Sequence, residues 1–195
     1  MLGRRGKEFT KSLLDAMMGR PTKVALQIMI DWHQLEATVP ELEDETDALF
    51  PAILDARLET MPGFMQLIDA LEQADIPRGV ATSSRLSFVS DVLSRFDLSP
   101  RFQFVLTAEN VTHGKPDPEI YQIACARLGL PTAQVMVLED SENGCRAAVA
   151  AGTFAVAVPG AHRQQHDFQG CRLIAESLAD PRVYQALRLT PATSS

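Results

Sequence analysis

A chain of 195 residues, 46% of them hydrophobic, suits one domain or a core domain with a small appendage, with enough apolar material for a real core. Its 18 Lys and Arg against 25 Asp and Glu leave a net charge of -7, which argues against a nucleic-acid binder, because phosphate neutralisation relies on clustered basic side chains. Cys125, Cys145 and Cys171 show no CxxC or His-rich spacing, so reduced, mostly structural thiols are expected rather than a zinc site. No apolar run approaches a membrane span. The basic opening Met1-Leu2-Gly3-Arg4-Arg5-Gly6-Lys7 is not followed by the apolar stretch of a signal peptide, which makes the cytoplasm the default location.

The first sixty residues read as helical. Phe9, Leu13, Leu14 and Met17 recur at helical spacing and Gly19 ends the run. Pro21 can open a second helix with Val24, Ala25, Ile28, Met29 and Trp32 as its apolar face. Pro40 opens a third, whose acidic start (Glu41, Glu43, Asp44, Glu45) suits the positive end of a helix dipole. Leu49, Phe50, Ile53 and Leu54 continue its buried stripe.

From Met61 the pattern alternates. Helices are expected through Leu67, Ile68 and Leu71, over Leu86 to Phe96, over Pro118 to Leu128 and over Cys145 to Ala151. Strands are expected over Ile76 to Thr82, Phe102 to Leu106, Val135 to Leu138 and Phe154 to Val158. This alternation indicates a parallel α/β sheet covered on both faces. The organisation is then a helical module over 1–58, an α/β core over 59–190 and a frayed tail over 191–195.

Three stretches carry chemistry. Ligands bind open α/β sheets beyond the carboxyl ends of the strands, so the three can converge on one crevice. Thr82, Ser83 and Ser84 leave a strand and enter a helix, where hydroxyls and N–H groups can hold an anion. On that stretch alone, Ser84 as a simple N-cap outweighs phosphate binding. Lys115, in Gly114-Lys115-Pro116-Asp117-Pro118, is pinned by its prolines and could neutralise a phosphate and a neighbouring carboxylate. Glu139 and Asp140 end an apolar strand, and adjacent carboxylates there need a cation or a lysine nearby. Oxygen ligands with open water positions suit Mg²⁺. The bland alternative has Asp140 capping the next helix and Glu139 exposed; it ranks below the metal reading once Lys115 is counted.

Val80-Ala81-Thr82-Ser83-Ser84, His113-Gly114-Lys115-Pro116-Asp117-Pro118 and Leu138-Glu139-Asp140-Ser141 resemble the second, third and fourth motifs of the haloacid dehalogenase superfamily. The likeness is to its phosphatases and beta-phosphoglucomutase-like members, and covers nearly the whole chain. It implies a Rossmann-like parallel core with a helical cap. It further implies that Thr82 holds the transferring phosphoryl group, assisted by the backbone after it, here Ser83 and Ser84. Lys115 would neutralise nucleophile and phosphate. Asp140 would bind Mg²⁺, with Glu139 a direct or water-mediated ligand. Met18-Gly19-Arg20-Pro21 looks like the cap loop that faces substrate, giving Gly19 and Arg20 a part in substrate choice.

One departure stands out. The family's first motif, an apolar strand ending in Asp-x-Asp-Gly, supplies the nucleophile and the general acid/base, and no early aspartate here (Asp15, Asp31, Asp44, Asp47) has that pattern. By the resemblance the missing strand is the central one of the sheet. Three explanations follow: an incomplete chain whose full form is an intact phosphatase, a non-catalytic protein that keeps the pocket, or a strand supplied by another chain, for which the sequence offers no direct support. The expected function is a Mg²⁺-dependent phosphatase of small phosphorylated metabolites, sugar phosphates foremost, once the Asp motif is present. A phosphosugar mutase and an inactive phosphometabolite-binding protein are the alternatives.

Overall fold

The computed structural model describes residues 1–17, 22–160 and 167–190. They form two compact units, Met1–Glu59 and Thr60–Ser195. The expected tail, 191–195, lies outside the described residues.

The smaller unit holds α1 (Lys11–Met17), α2 (Thr22–His33) and α3 (Val39–Arg57). Helix α3 starts at a capping box: the Glu41 N–H donates to the Thr38 hydroxyl at 3.4 Å, and the Glu41 carboxylate accepts from the Thr38 N–H at 2.7 Å. Leu2, Leu13, Leu26, Met29 and Leu42 make its core. The buried face of α2 is therefore centred on Leu26 and Met29; Met29 is buried as expected, whereas Leu26 was not expected and the rest of the expected face is turned partly outward. Val24 and Trp32 are 44% and 49% exposed, because a helix turned to bury Leu26 carries position 24 to its far side. In α3, Leu54 is buried as expected but Ile53 is exposed.

The larger unit runs α4 (Phe64–Gln73), β1 (Val80–Ala81), α5 (Leu86–Arg95), β2 (Val105–Leu106), α6 (Glu119–Leu128), β3 (Met136–Glu139), α7 (Glu142–Ala150), β4 (Phe154–Ala157), β5 (Leu173–Ile174) and α8 (Pro181–Leu187). The strands are all parallel, in two separate ladders, β1-β2 and β3-β4-β5. Val80 aligns with Val105 in the first, and Met136 with Phe154 in the second. The first two strands are much shorter than the apolar runs that predict them. Strand β5 and helix α8 were not anticipated, although Asp180-Pro181 is a readable start: the Asp180 carboxylate accepts from the Arg182 N–H at 2.9 Å.

The side chains of β3 divide between two cores. Val137 packs with Tyr121, Ala124, Ala147 and Ala148 of α6 and α7, whereas Met136 and Leu138 pack with Leu67 of α4 and Val183 of α8. Helices α6 and α7 therefore cover one face of the strand and α4 and α8 the other. All three cysteines are free. Burial pushes the Cys145 and Cys171 thiols up, keeping both protonated at neutral pH.

Gly63 sits at φ +85 before α4, and a Cβ there would lie 2.2 Å from the Ala179 backbone nitrogen. Gly63→Ala should destabilise the unit by about 1–3 kcal/mol or more in urea unfolding. On the surface, Arg101 binds the Glu72 carboxylate at 2.5 and 2.8 Å, holding its pKa at about 2 against an ordinary 4.5. Glu72 therefore contributes stability that is complete above pH 4.5 and lost as the pH falls toward 2. Melting temperature measured across that range should decline less steeply in Arg101→Ala.

Candidate phosphate and metal site

The three stretches singled out in the sequence meet at one cavity of about 650 Å³ in the larger unit, lined at one end by Thr82, Ser83, Ser84, Lys115, Glu139, Asp140 and Ser141. Thr82 follows β1, its N–H tied to the Leu106 carbonyl of β2 at 2.9 Å. Its hydroxyl accepts from the Ser84 N–H at 3.1 Å, which folds the turn back toward the strand end. Ser84 does not cap α5: the N-cap position is Arg85, without a side-chain cap bond. The capping explanation for this hydroxyl cluster is thereby overturned, because the chain makes an extra turn residue before the helix begins.

Lys115 lies on a loop held from below by Glu119, whose carboxylate accepts from the Thr112 and His113 N–H groups at 2.9 and 2.7 Å. Those backbone bonds, with the His113 ring at 3.2 Å, hold the Glu119 carboxyl below its usual range. The Lys115 ammonium reaches into the crevice, donating to the Ala81 carbonyl at 3.1 Å and to the Glu139 carboxylate. It also rests 4.9 Å from the centre of the Tyr121 ring. The Lys115 and Glu139 side chains are 9% and 8% exposed, so this is a buried ion pair.

Glu139 is the most fully satisfied group in the site. The Tyr121 hydroxyl donates to the same oxygen as Lys115, and the Ser141 hydroxyl donates to the other at 3.1 Å. Burial, followed by the Glu139 charge, pushes the Tyr121 phenol far up, so it stays a proton donor. Ser141 in turn caps α7 by accepting from the Gly144 N–H at 3.1 Å. A Cβ on Gly144 would stand 2.0 Å from Glu139 Oε2. The alternative that Asp140 caps α7 and Glu139 is exposed is therefore wrong on both points. Ser141 is the cap, Glu139 is buried, and Asp140 is the exposed carboxylate at the cavity.

These oxygens fit a hard cation in part. Mg²⁺ is commonly held by one or two carboxylates together with water and substrate phosphate, and Asp140 offers such a carboxylate. Both oxygens of Glu139 are engaged by Lys115, Tyr121 and Ser141. Direct ligation by Glu139 would have to displace one of them. Among the described residues a three-ligand cluster occurs elsewhere, at His113, Asp117 and Glu119. Gly19 and Arg20 fall outside the described residues. The sequence reading missed Tyr121 and Gly144, and it quoted Ser141 within a motif without giving it a role. Tyr121 gave a signal as an aromatic hydroxyl on the buried face of α6 that needs a partner, and Ser141 as a serine placed where a helix begins.

Residues 3–158 match the family described as haloacid dehalogenase-like hydrolase. The chain belongs to that family. Among haloacid dehalogenase-like hydrolases it is similar to validoxylamine A 7'-phosphate phosphatase of Streptomyces hygroscopicus subsp. limoneus, 31% identical over 82% of this chain and 74% of the relative. It is similar also to fructose-1-phosphate phosphatase of Escherichia coli, 30% identical over 81% of this chain and 83% of the relative. The fold matches CbbY from Rhodobacter sphaeroides, solved in complex with phosphate, at a TM-score of 0.80, 24% identity and coverage of 91% of this chain and 84% of that one. The first two of these relatives are phosphatases of small phosphorylated compounds, and the Rossmann-like class expected from the sequence is the one observed. No helix among the described residues is long and apolar enough to cross a membrane.

Removing either donor to Glu139 should separate two magnitudes. Lys115→Met strips a buried carboxylate of its cation and should cost about 3–5 kcal/mol in urea unfolding. Tyr121→Phe removes one hydrogen bond to a charge and should cost about 1.5–3 kcal/mol.

Proposed function

We propose that this site is the phosphate- and metal-holding side of a Mg²⁺-dependent phosphatase of small phosphorylated metabolites, sugar phosphates in particular, which acts when an Asp-bearing strand completes it. The observation that carries the reading is Lys115: a buried ammonium bridging the end of β1 and the end of β3, beside the hydroxyl cluster and the exposed Asp140. The printed activities of the two phosphatase relatives support it.

In this reading Thr82 donates to a phosphoryl oxygen, with the N–H groups of Ser83 and Ser84 adding dipoles where negative charge grows. Lys115 supplies positive charge in a water-poor crevice, where it acts far more strongly than in bulk water. Asp140 holds the Mg²⁺, and Glu139 fixes the Lys115 ammonium in place, which makes it a positioning residue. When bound, the metal neutralises phosphate charge. Covalent transfer needs an activated carboxylate as nucleophile. Among the described residues that line the cavity only Glu139 and Asp140 carry one, and Glu139 is locked to its partners.

The test joins an apolar strand ending in Asp-x-Asp-Gly to the front of residues 1–195 and measures phosphate release from a panel of sugar phosphates. Magnesium-dependent turnover is expected, falling about 100-fold or more in Asp140→Asn and in Thr82→Val, and absent from residues 1–195 alone. Clear turnover by residues 1–195 alone, lost in Lys115→Ala, would contradict the need for a further carboxylate. A joined chain that binds sugar phosphate without turning it over would favour the inactive binding protein.

A further inference from the structure

Helix α7 runs alongside the segment that leads into β5. The Asp167 N–H donates to the Glu142 carboxylate at 3.2 Å. Phe168 packs with Cys145 and Ala157 in one buried cluster, and Cys171 lies against it. Gly170, at φ +90, comes so near that a Cβ there would lie 3.1 Å from Val149 Cγ1. Glu142, Cys145 and Val149 share one face of the helix, so these contacts form a single seam. Within that seam the Cys145 thiol donates a hydrogen bond to the Cys171 sulfur. The backbone fixes both partners: the Cys145 N–H donates to the Ser141 carbonyl at 2.9 Å, and the Arg172 N–H to the Ala155 carbonyl at 2.8 Å.

The two thiols are unlike, and the difference sets an order of reaction. Cys145 is 1% exposed, whereas Cys171 is only partly buried. Burial foremost, then the bond to Cys171, pushes the Cys145 thiol up. Burial also raises Cys171, but the hydrogen bond from Cys145 offsets part of that rise. Cys171 is then the sulfur that ionises first and meets solvent, with Cys145 in contact behind it. An open sulfur backed by a closed one is the arrangement that thiol–disulfide exchange needs. Cys125 lies apart on α6, its thiol raised by burial.

We propose that Cys145 and Cys171 are a thiol–disulfide modification site that takes a low-molecular-mass disulfide and closes into an intramolecular bond, stapling α7 to the entry of β5. The Cys171 thiolate attacks one sulfur of the reagent, whose S–S bond breaks, and one reagent thiolate leaves. Cys145 then loses its proton, and its sulfur displaces the second reagent thiolate from Cys171 and closes the bond. The two cysteine protons end on the two released thiols, and the reagent is reduced by the two electrons that the pair gives up.

This inference does not rest on the phosphatase reading, and its test contains neither substrate nor magnesium. Folded residues 1–195 are incubated with glutathione disulfide at mildly alkaline pH, then alkylated in urea and mapped by mass spectrometry. The expected product links Cys145 to Cys171 and leaves Cys125 alkylated, and dithiothreitol restores every thiol. Its ratio of folded to unfolded chain in urea should exceed that of the reduced protein about tenfold or more, because the bond closes a long loop. Cys145→Ala should stop at glutathione joined to Cys171, and Cys171→Ala should take up glutathione at Cys145 about tenfold more slowly or not at all. The map of the unsubstituted chain decides the matter even where a variant fails to fold. Three results would overturn the proposal: no link between Cys145 and Cys171, a link through Cys125 in equal yield, or glutathione that remains on Cys171 of the unsubstituted chain.

Discussion

The buried pair between Lys115 and Glu139 is the constraint on which the rest of the larger unit depends. Neither charge is tolerable alone at such burial, and each is made so by several partners at once. Lys115 has Ala81, Glu139 and the Tyr121 ring; Glu139 has Lys115, Tyr121 and Ser141. Through these bonds one ammonium links the end of β1, the start of α6, the end of β3 and the cap of α7. The loop before Pro116 is thereby drawn into the crevice, with the Glu119 carboxylate holding it from the other side.

That arrangement also divides labour between adjacent acids. Glu139 points inward and is occupied with protein, whereas Asp140 points outward and is available to the cavity. Two neighbouring carboxylates of a single strand end come to differ because successive strand residues face opposite ways. The absence of a side chain at Gly144 then leaves room for only one of them to turn under α7.

Much of this was legible in the sequence. The hydroxyl cluster, the proline-bracketed lysine and the acidic strand end do meet, because alternating strands and helices in a parallel sheet bring strand ends to one side. What stayed hidden depends on contacts that no local pattern encodes. The partners of Glu139 come from α6 and α7, and Gly144 matters only for the distance between two elements. The orientation of α2 was misread because Val24, Ile28 and Trp32 form an apolar row of their own, while Leu13 and Leu42 pack on the row of Leu26 and Met29. Strand lengths were overread because an apolar run marks burial, and pairing ends where a neighbouring strand is lacking. Ile76 and Pro77 line the cavity and join no ladder.

The division of the sheet into two ladders, with β1 and β3 both bordering the cavity, has a consequence for handling the protein as a material. Unpaired strand edges flanked by apolar side chains are templates for strands of any origin, which natural proteins blunt with charge, proline or a covering element. Here the Lys115 ammonium guards the Ala81 carbonyl at the edge of β1, while Met136 and Leu138 of β3 line the cavity. Solutions of residues 1–195 should therefore lose clarity as concentration rises, so that the edge of β3 bears on colloidal behaviour as much as on chemistry.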